Sequence, residues 1–178
     1  DTGPVGGSIK FNPFGVISFD GVDDYINLPY AISGIKSISF WVQPSSVSQK
    51  TMIYLNSSTY IEINSSAQTN AQNFTSSTIY INTSTSVTTL VPFNWYNIIV
   101  TTTSGITTDN PFYIARRSTN YFNGQISDVR IYDHTLTAEQ VKDIYFNQTI
   151  LETEILHYKF NEKMGTTAFD SSGNEYDG

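Results

Sequence analysis

The residues best equipped for chemistry in this chain are acidic, and several crowd into one short run. "FDGVDDY" places Asp20, Asp23 and Asp24 within five residues. Asp128 follows in "NGQISDVRIY", and Asp170 and Asn174 in the closing "FDSSGNEYDG". Calcium takes several oxygen ligands, from carboxylates and backbone carbonyls, in irregular loops. Clustered carboxylates without a cation would repel one another. Asp20, Asp23, Asp24, Asp128 and Asp170 are therefore the candidate ligands of a structural calcium ion. The spacing of an EF-hand is missing. A competing reading stays open: Asp20-Gly21 and Asp23-Asp24 are turn residues, and Asp128 is a buried acceptor paired with Arg130 or a backbone amide.

Aromatic residues supply a second kind of chemistry. Twelve Tyr and two Trp offer apolar faces with a polar handle, which suits half-exposed binding sites. Tyr60, Tyr80, Tyr113 and Tyr121 fall near turns or on outward strand positions and are the candidate ligand contacts; ordinary strand surface is the alternative for each. Trp41 and Trp95 read as core residues. His134 and His157 have no Ser or Asp partner by motif, and "GPVGG" is not followed by a helix, as a phosphate loop would be. Sequons at Asn56, Asn64, Asn73, Asn82 and Asn147 are about as frequent as so much Ser and Thr would give by chance.

The elements that must hold these residues are strands. The 178-residue chain fits one domain, large enough for a sizeable core. Charged residues make up only 14%, against roughly 25% in a typical soluble domain, so Ser, Thr and Asn must carry much of the solubility. The net charge of −7 argues against nucleic acid, since only Arg116-Arg117 forms a basic pair, expected at a solvent-facing turn or strand edge. Cysteine is absent, which excludes disulfides and thiol chemistry. No apolar run is long enough for a membrane helix, and the opening residues do not read as a signal peptide. Asp1 in place of Met suggests a chain processed or excised from something longer.

Period-2 alternation recurs along the chain. In "SISFWVQP", Ile38, Phe40 and Val42 share one face while Ser39, Trp41 and Gln43 share the other. "TMIYLN", "YIEIN", "TIYIN", "WYNIIVTTT" and "PFYIA" behave similarly, so the polar stretch 56–90 reads as ordered strands. Turn clusters such as Ser104-Gly105 and Asp109-Asn-Pro separate them. In "NGQISDVRIY", Ile126 has one parity and Val129 and Ile131 the other; a bulge near Ser127-Asp128 would bring both sets to the core. One short helix is expected near 137–146: Thr137 and Gln140 have capping-box spacing, and Leu136 and Val141 that of a hydrophobic staple. Val141, Ile144 and Tyr145 form its apolar stripe, and Asn147 can end it.

Four stretches in order resemble the laminin-G-like, concanavalin A-like jelly rolls. These are "GGSIKFN…ISFDGVDDYINLP", "SISFWVQP", "NWYNIIVT" and "FNGQISDVRIYDHTLTAEQVKDIY", covering most of residues 5–148. The resemblance implies an all-β, two-sheet antiparallel jelly-roll sandwich, and it strengthens the expectation of calcium. It also implies an unusual order. In the family, a segment like "LHYKFNEKMGTTAFDSSGNEYDG" comes first; here it comes last. Residues 1–148 would then form the body, 149–153 a linker, and 154–178 a strand and turn that complete either this domain or a neighbouring copy.

The fold serves lectins, glucanases and structural domains alike, so function rests on the residues. Glucanases of this fold carry a Glu-x-Asp-x-x-Glu strand, and retaining chemistry needs two carboxylates roughly 5 Å apart. That motif is absent, and Glu152 and Glu154 sit in a linker-like stretch. The expectation is a non-catalytic recognition module for glycans or glycoproteins on an extracellular, cell or virion surface. The rival expectation is a structural or assembly domain, such as a capsid decoration, without a sugar ligand.

Overall fold

The computed structural model describes residues 5–6, 10–12, 15–146, 153–162 and 165–178. Two antiparallel sheets face each other. One runs β1 (Val5–Gly6), β4 (Tyr25–Leu28), β11 (Phe112–Ile114), β6 (Lys50–Tyr54), β7 (Tyr60–Ile63), β8 (Thr69–Gln72). The other runs β2 (Lys10–Asn12), β3 (Val16–Asp20), β14 (Asn123–Tyr132), β5 (Ile35–Pro44), β10 (Tyr96–Ile106), β9 (Thr78–Ile81). It also carries β15 (Leu156–Tyr158) on β14. A small hairpin, β12 (Arg116–Arg117) and β13 (Asn120–Tyr121), links β11 to β14. This is the jelly-roll sandwich that the alternating strands imply.

The core is the inward parity of each sheet. Ile38, Phe40 and Val42 of β5 meet Ile26, Leu28, Phe112 and Ile114 from the facing sheet in one buried cluster. The outward parity of β5 and β10 is covered over part of its length by a short helix, α1 (Ala138–Tyr145). Ile99, Tyr132, Leu136, Val141 and Ile144 make a second, smaller cluster beneath it. The capping box forms: the Gln140 backbone N–H donates to Thr137 Oγ1 at 3.2 Å, and the Thr137 N–H donates to Gln140 Oε1 at 2.7 Å. The Asn147 stop and most of the 149–153 linker lie outside the described residues. None of the described helices is long and apolar enough to cross a membrane.

β14 changes phase where its sequence parity requires it. Ile126 lies opposite Val42 and Ser127 opposite Trp41, but Arg130 lies opposite Ser39, so three residues span two. The extra residue is accommodated with Asp128 at φ +48°, and Ile126, Val129 and Ile131 are all buried. β3 pairs with β14 up to Ser127 and β15 takes over from Val129, so two strands share one side of β14 and abut at the bulge.

Two expectations need correcting. Trp41 and Trp95 are not core residues. Trp41 has the outward parity of β5 and stacks on Tyr145 of α1, centroids 5.5 Å apart. Trp95, just ahead of β10, is 36% exposed. For Trp41 the inward places are already filled by Phe40 and Val42 on either side.

Candidate functional site

The outer face of the six-stranded sheet collects polar aromatics. Register alone sets Tyr113 beside both Asn27 and Tyr54, Tyr54 beside Tyr60, and Tyr60 beside Gln72. The result is a row across five strands, Asn27–Tyr113–Tyr54–Tyr60–Gln72, every member half-buried. Tyr25 stands edge-on to Tyr113 at 5.7 Å, and Tyr121 of the hairpin lies 6.3 Å from Tyr25. Three of the four candidate tyrosines, Tyr60, Tyr113 and Tyr121, therefore share one face. Tyr80 does not: it packs against the cluster under α1, on the other sheet.

Two guanidinium groups complete this face. Arg116 lies over the rings of Tyr25, Tyr113 and Tyr121, at 4.4, 5.0 and 5.7 Å. Arg117 lies 3.8 Å above Tyr60. A cation over an aromatic face is attracted by the ring quadrupole. The hairpin that carries both is pinned by Asn120, whose side chain accepts from the Thr51 N–H and donates to Gln49 O. Arg116 Nε donates to Ser118 O at 3.2 Å within the hairpin, and among the described residues neither Arg116 nor Arg117 makes an ion pair. The Tyr54 hydroxyl donates to Asp109 at 3.3 Å; burial first, then this carboxylate, raises its pKa. The dipeptide expected at a bare solvent edge is thus held on a tyrosine surface. Sequence reasoning missed Tyr25 and Tyr54, whose membership is set by inter-strand register.

The five acidic candidates separate into three places. Asp20, Asp23 and Asp24 stay together, one oxygen of each lying within 4.8 Å of the others. The turn that holds them is tight. Asp20 Oδ1 accepts from the Val22 N–H at 2.7 Å, Asp24 Oδ2 accepts from the Asp20 N–H at 3.0 Å, and Gly21 sits at φ +82° with Asn123 against it. The turn reading describes these residues: turn bonds occupy part of the oxygen set, and three carboxylates still converge. Three carboxylates of like charge at this spacing suit a calcium ion, with backbone carbonyls and water making up the remaining ligands.

Asp128 is elsewhere. Asn123 faces Asp20 and Ser127 faces Val16 at the two ends of the β3–β14 ladder, which puts Asp128 roughly 16 Å from Asp20 along the strands. Its Oδ1 accepts from Arg130 Nε at 3.0 Å and pairs with His157 Nε2 at 2.7 Å, and its Oδ2 accepts from Arg130 Nη2 at 2.9 Å. Burial alone would raise its pKa, but the hydrogen bonds from His157 and Arg130 outweigh burial and hold it below the ordinary carboxylate range. Glu154 joins through Arg130 Nη1 at 3.5 Å and lies 3.9 Å from His157 Nδ1. Both ring nitrogens of His157 therefore face carboxylates, an arrangement that ties β15 to β14.

Asp170 organises the tail. Its carboxylate accepts backbone N–H bonds from His157, Ser172 and Tyr176 and the Ser172 hydroxyl. Tail residues fill the core from the chain's own end: Leu156, Tyr158, Phe160 and Ala168 are buried, and Ala168 and Gly178 exchange two backbone hydrogen bonds.

Residues 100–142 match the family described as the concanavalin A-like lectin/glucanases superfamily, laminin-G type. No curated protein sequence matches the chain. Among solved structures it is similar to a heptameric SAP-like pentraxin from Limulus polyphemus, at 13% identity and TM-score 0.52, covering 76% of this chain and 84% of that one. It is also similar to the receptor binding domain of botulinum neurotoxin C/D mosaic serotype, at 13% identity and TM-score 0.50, covering 81% of this chain and 46% of that one. At such identities the likeness concerns the fold, and on that the sheet topology, the matched segment and both structures agree: the chain folds as a two-sheet antiparallel jelly-roll sandwich of the concanavalin A-like kind.

Proposed function

We propose that the chain is a non-catalytic recognition module of an extracellular, cell or virion surface, and that it holds a glycan or glycoprotein on the tyrosine face of its six-stranded sheet. The observation that carries this reading is the tyrosine row with Arg116 and Arg117 laid on it. Stacking fixes both guanidinium groups in place, so binding costs little further ordering. Their donors, the tyrosine hydroxyls and the Asn27 and Gln72 amides suit a surface rich in hydroxyl and carboxylate acceptors. Calcium at Asp20, Asp23 and Asp24 would stiffen the turn that feeds directly into Tyr25. A receptor binding domain among the solved structures of this fold supports a binding role by analogy.

The test is a glycan and glycoprotein array, run in calcium and in chelator, with Tyr60→Ala and Arg117→Ala beside the parent chain. Specific binding that weakens roughly tenfold in either variant, a loss of about 1.4 kcal/mol, is the expected result. Chelation should also lower the melting temperature. Silence across the array, with ordered self-assembly or particle attachment instead, would replace this reading by the structural one. An unchanged melting temperature would remove the ion.

A further inference from the structure

The seven-stranded sheet has its own aromatic site, on the side of the sandwich away from the tyrosine row. Val16, Trp41, Trp95, Ser127 and Asp128 line an open depression of about 280 Å³ beside α1. Trp41 is braced from behind by Tyr145, stacked at an interplanar angle of 23°. Trp95 forms the opposite wall and follows a loop in an unusual conformation. Phe93 has φ +64° and is 70% exposed, a costly state for a bulky side chain. It is held by its N–H, which donates to Pro44 O at 2.8 Å, and by Gln43 Nε2, which donates to its carbonyl at 3.1 Å. A strained loop fixed at a pocket wall is a recurrent mark of a binding site.

From this geometry we propose that the Trp41–Trp95 depression binds a neutral sugar ring, as a second site distinct from the tyrosine face. The two indoles offer the apolar surface that the C–H face of a pyranose covers, and an indole adds an N–H donor beside it. Ser127 and Asp128 stand at the same depression as hydroxyl and carboxylate acceptors. Ser127 Oγ uses its proton on Gly15 O, so toward a ligand it accepts. Asp128 carries negative charge, but Arg130 at 2.9 Å and His157 at 2.7 Å already engage its carboxylate, which disfavours a cation such as a quaternary amine as the ligand. The outward neighbours Gln43, Gln125 and Ser18 continue a polar strip along the sheet.

The chain contains two tryptophans, and both line this depression. Intrinsic tryptophan fluorescence therefore reports on this site alone. The experiment titrates the intact protein with neutral gluco-, galacto-, manno- and N-acetylglucosamine oligosaccharides. A saturable change in emission with at least one series is expected. Trp95→Ala should weaken that binding at least tenfold, read from the emission of the remaining Trp41, with an unchanged thermal melt. Tyr60→Ala, on the opposite face, should leave the titration unaltered. A flat titration with every series overturns the proposal, as does equal affinity in Trp95→Ala. Sedimentation showing a dimer that shields Trp95 overturns it too, in favour of a contact between copies. The array result with Tyr60→Ala and Arg117→Ala stands whichever way the fluorescence falls, so the two faces fail or succeed separately.

Discussion

Asp128 shows what a single carboxylate does in this sandwich. It caps the phase change in β14 and ties Arg130 and His157 into one network. Its folded pKa lies below its unfolded value, so its stabilisation is complete above about pH 4 and is lost as pH falls through the depressed folded value. Asp128→Asn keeps the shape and removes the charge. Urea unfolding at neutral pH should show a loss of about 2 kcal/mol, the scale of a charged hydrogen bond. The gap between variant and parent should then close as the pH drops below about 4. A gap that holds constant into acid would mean that the network contributes through shape alone. The Asp128–Arg130 pairing is visible in the sequence as one of two readings, because the residues are two apart. His157 is not, because nothing local ties it to a carboxylate 29 residues away.

Among the elements, α1 and the β14 bulge were the most legible, since both are written in short-range spacing. Thr137, Gln140, Leu136 and Val141 specify the cap and staple within six residues, and the parities of Ile126 and Val129 demand an extra residue between them. Thr137→Ala should lower stability by about 1 kcal/mol, measured by thermal or urea unfolding. A larger loss, with the near-ultraviolet signal of Trp41 changed, would show that the cap also sets the stacking of Tyr145. The tyrosine face was only partly legible. Outward parity marks Tyr60 and Tyr113 one strand at a time, but the row exists only once β4, β11, β6, β7 and β8 settle in register, and no single stretch encodes that pairing. Trp41 illustrates the opposite error: its outward parity in "SISFWVQP" was readable, and the size of the indole outweighed it.

At the scale of the molecule, the closing segment is a structural member. β15 covers the second half of β14, and Leu156, Tyr158 and Phe160 enter the main core. Removing residues 154–178 would leave Val129–Ile131 as an open edge beside an unfilled seat, and such edges pair with other chains. The shortened chain should lose its cooperative melt or oligomerise, as size-exclusion chromatography would show, and a synthetic 154–178 peptide should restore a monomer. A stable monomer without the peptide would show that the sheet closes by other means. The same arrangement bears on how the protein is made. On a ribosome, Ile17 and the early strands of its sheet emerge long before residues 154–178, and the nascent sandwich must wait, partly open, until that segment has cleared the exit tunnel.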